Sequence, residues 1–297
     1  MEKNTNRPTI LIDSSSLAHR VKHTLKDIGT EFEDTGVVFG FLMKILEISK
    51  KFNTNRFIFA FDSDRNKYLR KKIYSGYKVK PLNNLSEEDI RLNETCYKQL
   101  NILGKEVLPK IGFQNIYRKR GYEADDIIAN IVKNNSNHDF IIHSNDEDLY
   151  QLLDYARIYK ANKTVYTKLN FIEDYGIHPK VWWKVKAIAG CKSDKIPGVD
   201  NIGEKTAIKY LKKNCTDLAK VKIEKEFDNI KLYAKLTKLP LKGMKPIYLK
   251  YGEVLDLGSF IDVCQRFNFN SFMDNGQLEV WTAYLELNNK VYTECPF

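Results

Sequence analysis

The chain has 297 residues, 43% of them hydrophobic, enough for one elaborated α/β domain or a large domain with a smaller partner, and too apolar for wholesale disorder. With 48 Lys and Arg against 38 Asp and Glu, its net charge of +10 suits a polyanionic partner, because basic side chains release counterions when they neutralise phosphates. No apolar run approaches the roughly 18 residues that span a membrane, residues 1–8 are polar rather than signal-like, and the five scattered cysteines suit neither a structural zinc site nor a disulfide framework. A soluble cytoplasmic protein is expected.

In chain order, residues 9–12 read as a buried strand that runs out at Asp13 and a serine run. Val38, Phe41, Leu42, Ile45 and Leu46 recur near helical spacing and predict a helix over 37–49. Residues 56–61 form a second apolar run closed by Asp62, and a charged stretch follows to Pro81. Ser86, with Asp89 three residues on, is a capping-box signature for a long helix to about residue 108. A short strand is expected at 115–117, a helix at 123–133, and a strand at 139–143 that ends near Asp146; His143 reads as a packed strand-end residue. From residue 180 the pattern turns mainly helical around one Gly/Pro turn at 196–203. A boundary near residue 178 is therefore expected, with an α/β domain over 1–178 and a helical region over 179–297. The later aromatics (Tyr248, Tyr251, Phe260, Phe267, Phe269, Phe272, Trp281) read as core.

Three predicted strands run out into carboxylates: Asp13, Asp62, and Asp146 with Asp148. Ligands of an open parallel sheet collect outside the carboxyl ends of its strands. Glu123, Asp125 and Asp126 add three acids at a predicted helix start, and Asp194 stands before the Pro197-Gly198 turn. Each has a plainer account alone: an Asp after a strand caps a helix, acids in a first turn oppose the helix dipole, and residues 146–148 suit a solvated loop. Their joint occurrence changes the odds. Two carboxylates about 6 Å apart repel by roughly 3 kcal/mol at an effective dielectric near 20. A converging set therefore needs cations, and oxygen donors without nearby Cys or His select hard ions such as Mg²⁺ or Mn²⁺. A pair of such ions can activate a water and stabilise a leaving oxygen in phosphodiester cleavage.

These segments resemble the motifs of the flap endonuclease and 5′–3′ exonuclease family, which includes phage enzymes and the 5′-nuclease domain of bacterial DNA polymerase I. Ile12-Asp13-Ser14-Ser15-Ser16-Leu17 and Phe61-Asp62 look like its first two acidic motifs. Glu123-Ala124-Asp125-Asp126 matches its Glu-x-Asp-Asp signature, Ser144-Asn145-Asp146-Glu147-Asp148 its Asp-x-Asp motif, and 190–211 its helix–three-turn–helix. The resemblance covers about residues 8–213. It implies an α/β, PIN-like domain with a central, mainly parallel sheet flanked by helices, followed by the helix–three-turn–helix and a helical C-terminal region. It also implies that Asp13, Asp62, Glu123, Asp125, Asp126, Asp146, Asp148 and Asp194 are metal-site acids for two Mg²⁺, with Mn²⁺ as substitute. One position departs: the family commonly has an acid where this chain has Cys191, and a neutral thiol is a poor Mg²⁺ ligand.

Arg65, Lys67, Arg70, Lys71, Lys72, Lys78 and Lys80 interleave with Tyr68, Tyr74 and Tyr77, with no acid among them. Basic charge tracks a phosphate backbone while aromatics stack on bases; a solvated helix face is the plain alternative. In the family this segment belongs to a helical arch, here about 63–108, that admits a single-stranded 5′ arm. The resemblance implies that Lys78 and Arg70 offset charge on the scissile phosphate. Arg20 and Lys22, beside the first motif, are further candidates for phosphates. Gly198 and Gly203 let backbone approach DNA in the three-turn element, where the family often holds K⁺, and Lys205, Lys209, Lys212 and Lys213 follow on the next helix. The implied activity is hydrolysis of branched or 5′-ended DNA or RNA/DNA by a monomer in replication or repair. A PIN-type ribonuclease and, because of Cys191, a non-catalytic branched-DNA binding protein are the open alternatives.

Overall fold

The computed structural model describes residues 7–24, 35–79 and 86–287. Its strands are β1 (Thr9–Asp13), β2 (Phe57–Phe61), β3 (Ile116–Arg118), β4 (Phe140–His143), β5 (Ala156–Tyr159) and β6 (Val165–Tyr166). Its helices are α1 (Ser14–Thr24), α2 (Gly36–Phe52), α3 (Tyr68–Ile73), α4 (Glu87–Ile102), α5 (Leu108–Ile111), α6 (Ala124–Asn134) and α7 (Lys168–Tyr175). There follow α8 (Trp182–Ala189), α9 (Glu204–Leu211), α10 (Asp217–Lys225), α11 (Phe227–Thr237), α12 (Leu257–Arg266), α13 (Asn270–Met273) and α14 (Asn275–Leu285). The six strands form one mostly parallel sheet in the order β3-β2-β1-β4-β5-β6, the expected α/β architecture. No helix among the described residues is long and apolar enough to cross a membrane.

Two compact units make up the chain: residues 1–61, 83–117 and 249–297 form one, and 62–82 with 118–248 form the other. The boundary expected near residue 178 falls inside the second unit, between α7 and α8, because α8 packs on both α11 and the 3₁₀ turn Glu147–Leu152.

In the first unit, β1 and β2 pair in parallel with Ile10 opposite Phe57 and Ile12 opposite Phe59, and every residue of both strands is buried. This double-sided burial explains their unbroken apolar runs. Phe41, Leu42 and Ile45 of α2 are fully buried, and the two free amides of Val37 and Val38 at its start both donate to the Gln99 side chain of α4 (2.7 and 3.1 Å). The Ser86–Asp89 capping box opens α4 as expected; the helix then loosens into a π turn (Leu103–Val107) before α5. Phe260, Phe267, Phe269, Phe272 and Trp281 of the α12–α14 layer are buried, with the Phe260 and Trp281 rings 4.3 Å apart. Tyr248 and Tyr251 are a correction: both are largely exposed, since they lie on an irregular segment with no helix face to turn inward.

In the second unit, β4 and β5 pair in parallel and β5 and β6 antiparallel. α6 lays Ile127, Ile128 and Ile131 into the core. His143 packs as expected, fully buried with Nδ1 3.0 Å from the Tyr159 carbonyl oxygen. Between α8 and α9 the chain makes a tight excursion in which Cys191 and Ile196 exchange both backbone hydrogen bonds (2.9 and 3.0 Å). Gly198 closes it at φ +69, where a Cβ would come within 2.3 Å of the Gly190 nitrogen. Only glycine fits there, so this residue is required by the turn's own packing, whatever binds outside.

Candidate metal centre and nucleic-acid interface

Seven of the eight predicted acids, together with Arg70 and Lys78, lie in the second unit; Asp13 lies in the first. Asp13 is buried at the end of β1, and its Oδ1 accepts from the Ser16 amide at 3.0 Å, capping α1. Burial lowers the pKa of half-buried Arg20 on the same helix, an effect that the Asp13 charge opposes. Lys22 is buried and donates to Asn93 Oδ1 at 2.6 Å, tying α1 to α4; the expectation that it reaches a phosphate is corrected accordingly.

The start of α6 organises the second unit's first group. Glu123 is the N-cap, in a capping box with Asp126, while Asp62 at the end of β2 accepts from the Ala124 amide through Oδ1 at 2.9 Å. Asp126 is completely buried. Its two oxygens accept from the Arg70 guanidinium at 2.6 and 2.8 Å and also from the amides of Glu123 (3.1 Å) and Leu241 (2.8 Å). Arg70 is 2% exposed and donates through Nε to the Leu236 carbonyl oxygen at 3.1 Å. Here the structure departs from two expectations. A carboxylate with four donors on its two oxygens has little capacity left for a metal, and a guanidinium inside the core cannot meet a phosphate. Burial alone would lower the Arg70 pKa, but Asp126 outweighs it and holds the group firmly charged. Asp125, one residue earlier, is half-buried.

Glu123 connects to the second group. Its Oε1 accepts from Lys78 Nζ at 2.8 Å and its Oε2 from the Tyr77 hydroxyl at 2.7 Å; the same two side chains lie 3.4 and 3.3 Å from the Asp194 carboxylate. The Lys78 amide also donates to the Asp194 carbonyl oxygen at 2.8 Å. Burial pulls the Lys78 pKa down, yet Glu123 and Asp194 hold it above the usual lysine value. For Glu123 burial pushes up, and Lys78 and Arg70 reverse it, leaving the carboxyl below its usual range. Tyr77 is 1% exposed and committed to these acids, so its expected stacking on a base is corrected.

Asp148, Cys191 and Asp194 form the tightest set of possible metal donors among the described residues, with one ligand atom from each within 4.8 Å of the others. Asp146 starts the 3₁₀ turn beside them, its Oδ1 accepting from the Asp148 amide at 2.8 Å. The turn strips part of the water from these acids even where their rims face solvent. Partial burial, followed by the charges of Asp146 and Asp194, pushes Asp148 up to about 7, and burial with Asp194 raises Asp146 as well. Burial and the Asp194 charge also raise the Cys191 thiol, which rests 3.0 Å from Ser193 Oγ. Lys186 is a residue the sequence reading missed. It is nearly buried and links Glu147 (3.3 Å) with Glu204 (2.7 Å), and its charge opposes the rise at Asp146 and Asp148. Trp182, Val185, Lys186 and Ala189 share one face of α8 by helical spacing, which was the available signal.

These directions set a pH dependence. Folded Asp146 and Asp148 keep protons that the unfolded chain sheds above its ordinary Asp value of 3.8, so metal-free stability falls as pH rises from there through about 7. Glu123 works oppositely, adding stability above its ordinary 4.5 that is lost in acid. Urea denaturation of chelator-treated protein should therefore show a lower midpoint at about pH 8 than at about pH 5.5, a difference that divalent ions remove.

Of the expected nucleic-acid residues, Arg65, Lys71, Lys72 and Lys205 are exposed, as are Lys209, Lys212 and Lys213, and Lys67 is half-buried. The Lys72 ammonium sits 4.6 Å from the Tyr68 ring centroid. Lys80 lies outside the described residues, as does part of the expected arch. Gly203 is the exposed N-cap of α9, and nothing lies within 4 Å of where its Cβ would stand.

Residues 8–176 match the family model described as the 5′-3′ exonuclease, N-terminal resolvase-like domain. A 5′-3′ exonuclease of Buchnera aphidicola subsp. Schizaphis graminum is 32% identical over 245 residues, covering 80% of this chain and 78% of that protein. The thermostable DNA polymerase I of Thermus aquaticus is 32% identical over 206 residues, 68% of this chain, but the match takes in only 23% of the polymerase. Among solved structures, the T5 5′-exonuclease with divalent metal ions (zinc) bound superimposes with a TM-score of 0.66 at 21% identity, covering 79% of this chain and 90% of that one. Flap endonuclease-1 from Methanococcus jannaschii gives 0.59 at 17% identity, covering 96% and 94%. These two likenesses bear on the fold. The family model and the Buchnera relative together decide the affiliation: the chain belongs to the 5′–3′ exonuclease family.

Proposed function

We propose that the protein is a structure-specific 5′ nuclease that hydrolyses phosphodiester bonds of branched or 5′-ended DNA or RNA/DNA with divalent metal ions, acting as a monomer. The observation that carries this reading is the group of carboxylates at Asp146, Asp148 and Asp194, pressed together with too few compensating charges, in a chain of this family. The carboxylate oxygens suit Mg²⁺ or Mn²⁺, whereas the Cys191 sulfur does not. Asp62, Asp125 and Glu123, in the same unit, are assigned to this centre. When bound, such ions supply a hydroxide-generating water and stabilise the leaving oxygen.

The chain's own residues do the rest. Lys78, held by Glu123 and Asp194, is a cation placed to meet a phosphate that enters this group. Arg65, Lys71 and Lys72 line the exposed side of the α3 segment as phosphate contacts, with Lys67 beside them. Gly203 and Lys205 offer a second phosphate or K⁺ contact at the start of α9. The test is an end-labelled 5′ flap incubated with purified protein. Cleavage in Mg²⁺ or Mn²⁺, abolished by chelator and leaving 5′-phosphate ends, is expected; intact flap under all conditions contradicts the proposal.

A further inference from the structure

Cys191 is the one position in the metal-donor group whose chemistry differs from the rest. Its sulfur stands with a carboxylate oxygen of Asp148 and of Asp194, every pair within 4.8 Å. Donors on one tetrahedral zinc-type ion are about 3.3–3.8 Å apart, as follows from Zn–S near 2.3 Å and Zn–O near 2.1 Å. Side-chain adjustments of about an ångström close the difference.

Backbone geometry keeps the thiol in this company. The reciprocal Cys191–Ile196 hydrogen bonds fix the base of the turn, and at Gly190 (φ +80) a Cβ would come within 2.6 Å of the Ile196 and Pro197 carbonyl oxygens, so only glycine fits. Asp194, inside the same turn, is tied through its own carbonyl oxygen to the Lys78 amide. The thiol's polar contacts are the exposed Ser193 hydroxyl, a partner that water can replace, and the Asp194 backbone amide of the same turn. Sulfur is polarisable and prefers borderline or soft cations, whereas Mg²⁺ demands oxygen and surrenders water reluctantly.

Building on the metal-nuclease reading above, we infer that Asp148, Cys191 and Asp194 form a mixed sulfur–oxygen site that takes a thiophilic divalent cation of the zinc or cobalt class in preference to Mg²⁺. Binding forms a metal–sulfur bond and releases the thiol proton to solvent. The protein's metal preference is thereby set by one side chain. Restoring a carboxylate at position 191 moves the preference back toward Mg²⁺.

The experiment uses the full chain, reduced and stripped of metal, titrated with Co²⁺ and followed by absorption. A sulfur-to-cobalt charge-transfer band that saturates with the binding isotherm is expected in the unaltered protein and lost in Cys191→Ser, whose other cysteines are unchanged. Cys191→Asp should lack the band and bind Mg²⁺ at least about tenfold more tightly than the unaltered protein, measured by calorimetry. Co²⁺ bound without a sulfur band, or a band that survives in Cys191→Ser, overturns this inference and leaves the nuclease reading standing. Failure to bind Co²⁺, Mn²⁺ or Mg²⁺ at all removes both.

Discussion

Replacing Asp148 with Asn is expected to lower flap cleavage at least about a thousandfold, equivalent to about 4 kcal/mol of barrier, while making the metal-free protein more stable. The side chain keeps its shape and loses its charge. That charge is strained, pushed up to about 7 by burial and by Asp146 and Asp194. Removing it relieves repulsion that, for two carboxylates about 6 Å apart, is of order 3 kcal/mol at an effective dielectric near 20. A gain of about 1–3 kcal/mol at pH near 8 is the realistic range, because Lys186 and Lys78 already offset part of the repulsion. Urea denaturation with chelator measures the stability, and single-turnover cleavage the rate. A variant both less stable and nearly as active would show that Asp148 is an ordinary loop residue.

The opposite behaviour is expected of Arg70→Met. Here the loss should be in stability, about 3–5 kcal/mol, because the substitution strands Asp126 as an unpaired charge in the core and removes a donor from Glu123. The Leu236 carbonyl oxygen also loses its Nε–H partner. Should the single variant fail to fold, the pair Arg70→Met with Asp126→Leu separates the causes. Removing both charges should recover most of the loss, leaving mainly the unpaired Leu241 and Glu123 amides as a cost. Equilibrium denaturation decides. A loss below about 1 kcal/mol for the single change would mean that the ion pair behaves like one at the surface.

These contrasting variants mark where the sequence was informative. β1, β2 and β4 were legible because strands buried on both faces are unbroken apolar runs, and the capping box of α4 was legible because it is a local code. α1 escaped notice because its opening serines are poor helix formers, with Asp13 supplying the cap. β5 and β6 were missed because they are four and two residues long and only partly apolar, held by pairing with neighbours. The candidate acids could be nominated from their motifs. Their protonation and their partners could not, since those depend on groups far away in the chain.

Arg70 illustrates the point. Its charge and its tyrosine neighbours gave it the look of a phosphate contact, yet the Leu236 carbonyl and the Leu241 amide, more than a hundred residues downstream of Asp126, complete a buried network around it. Asp126 likewise matched a ligand motif by spacing, and saturation of its oxygens by four donors is visible only in three dimensions. Tyr77 and Lys22 follow the same pattern: polar tips that a sequence places at the surface are drawn inward by specific acceptors.

The most direct measurement is calorimetric titration of Mn²⁺ into the metal-free protein at pH near 8, with Asp148→Asn and Asp194→Asn alongside. Saturable binding that either substitution weakens by at least about a hundredfold is the predicted result. Ions taken up with equal affinity by all three proteins, or by none, would contradict it.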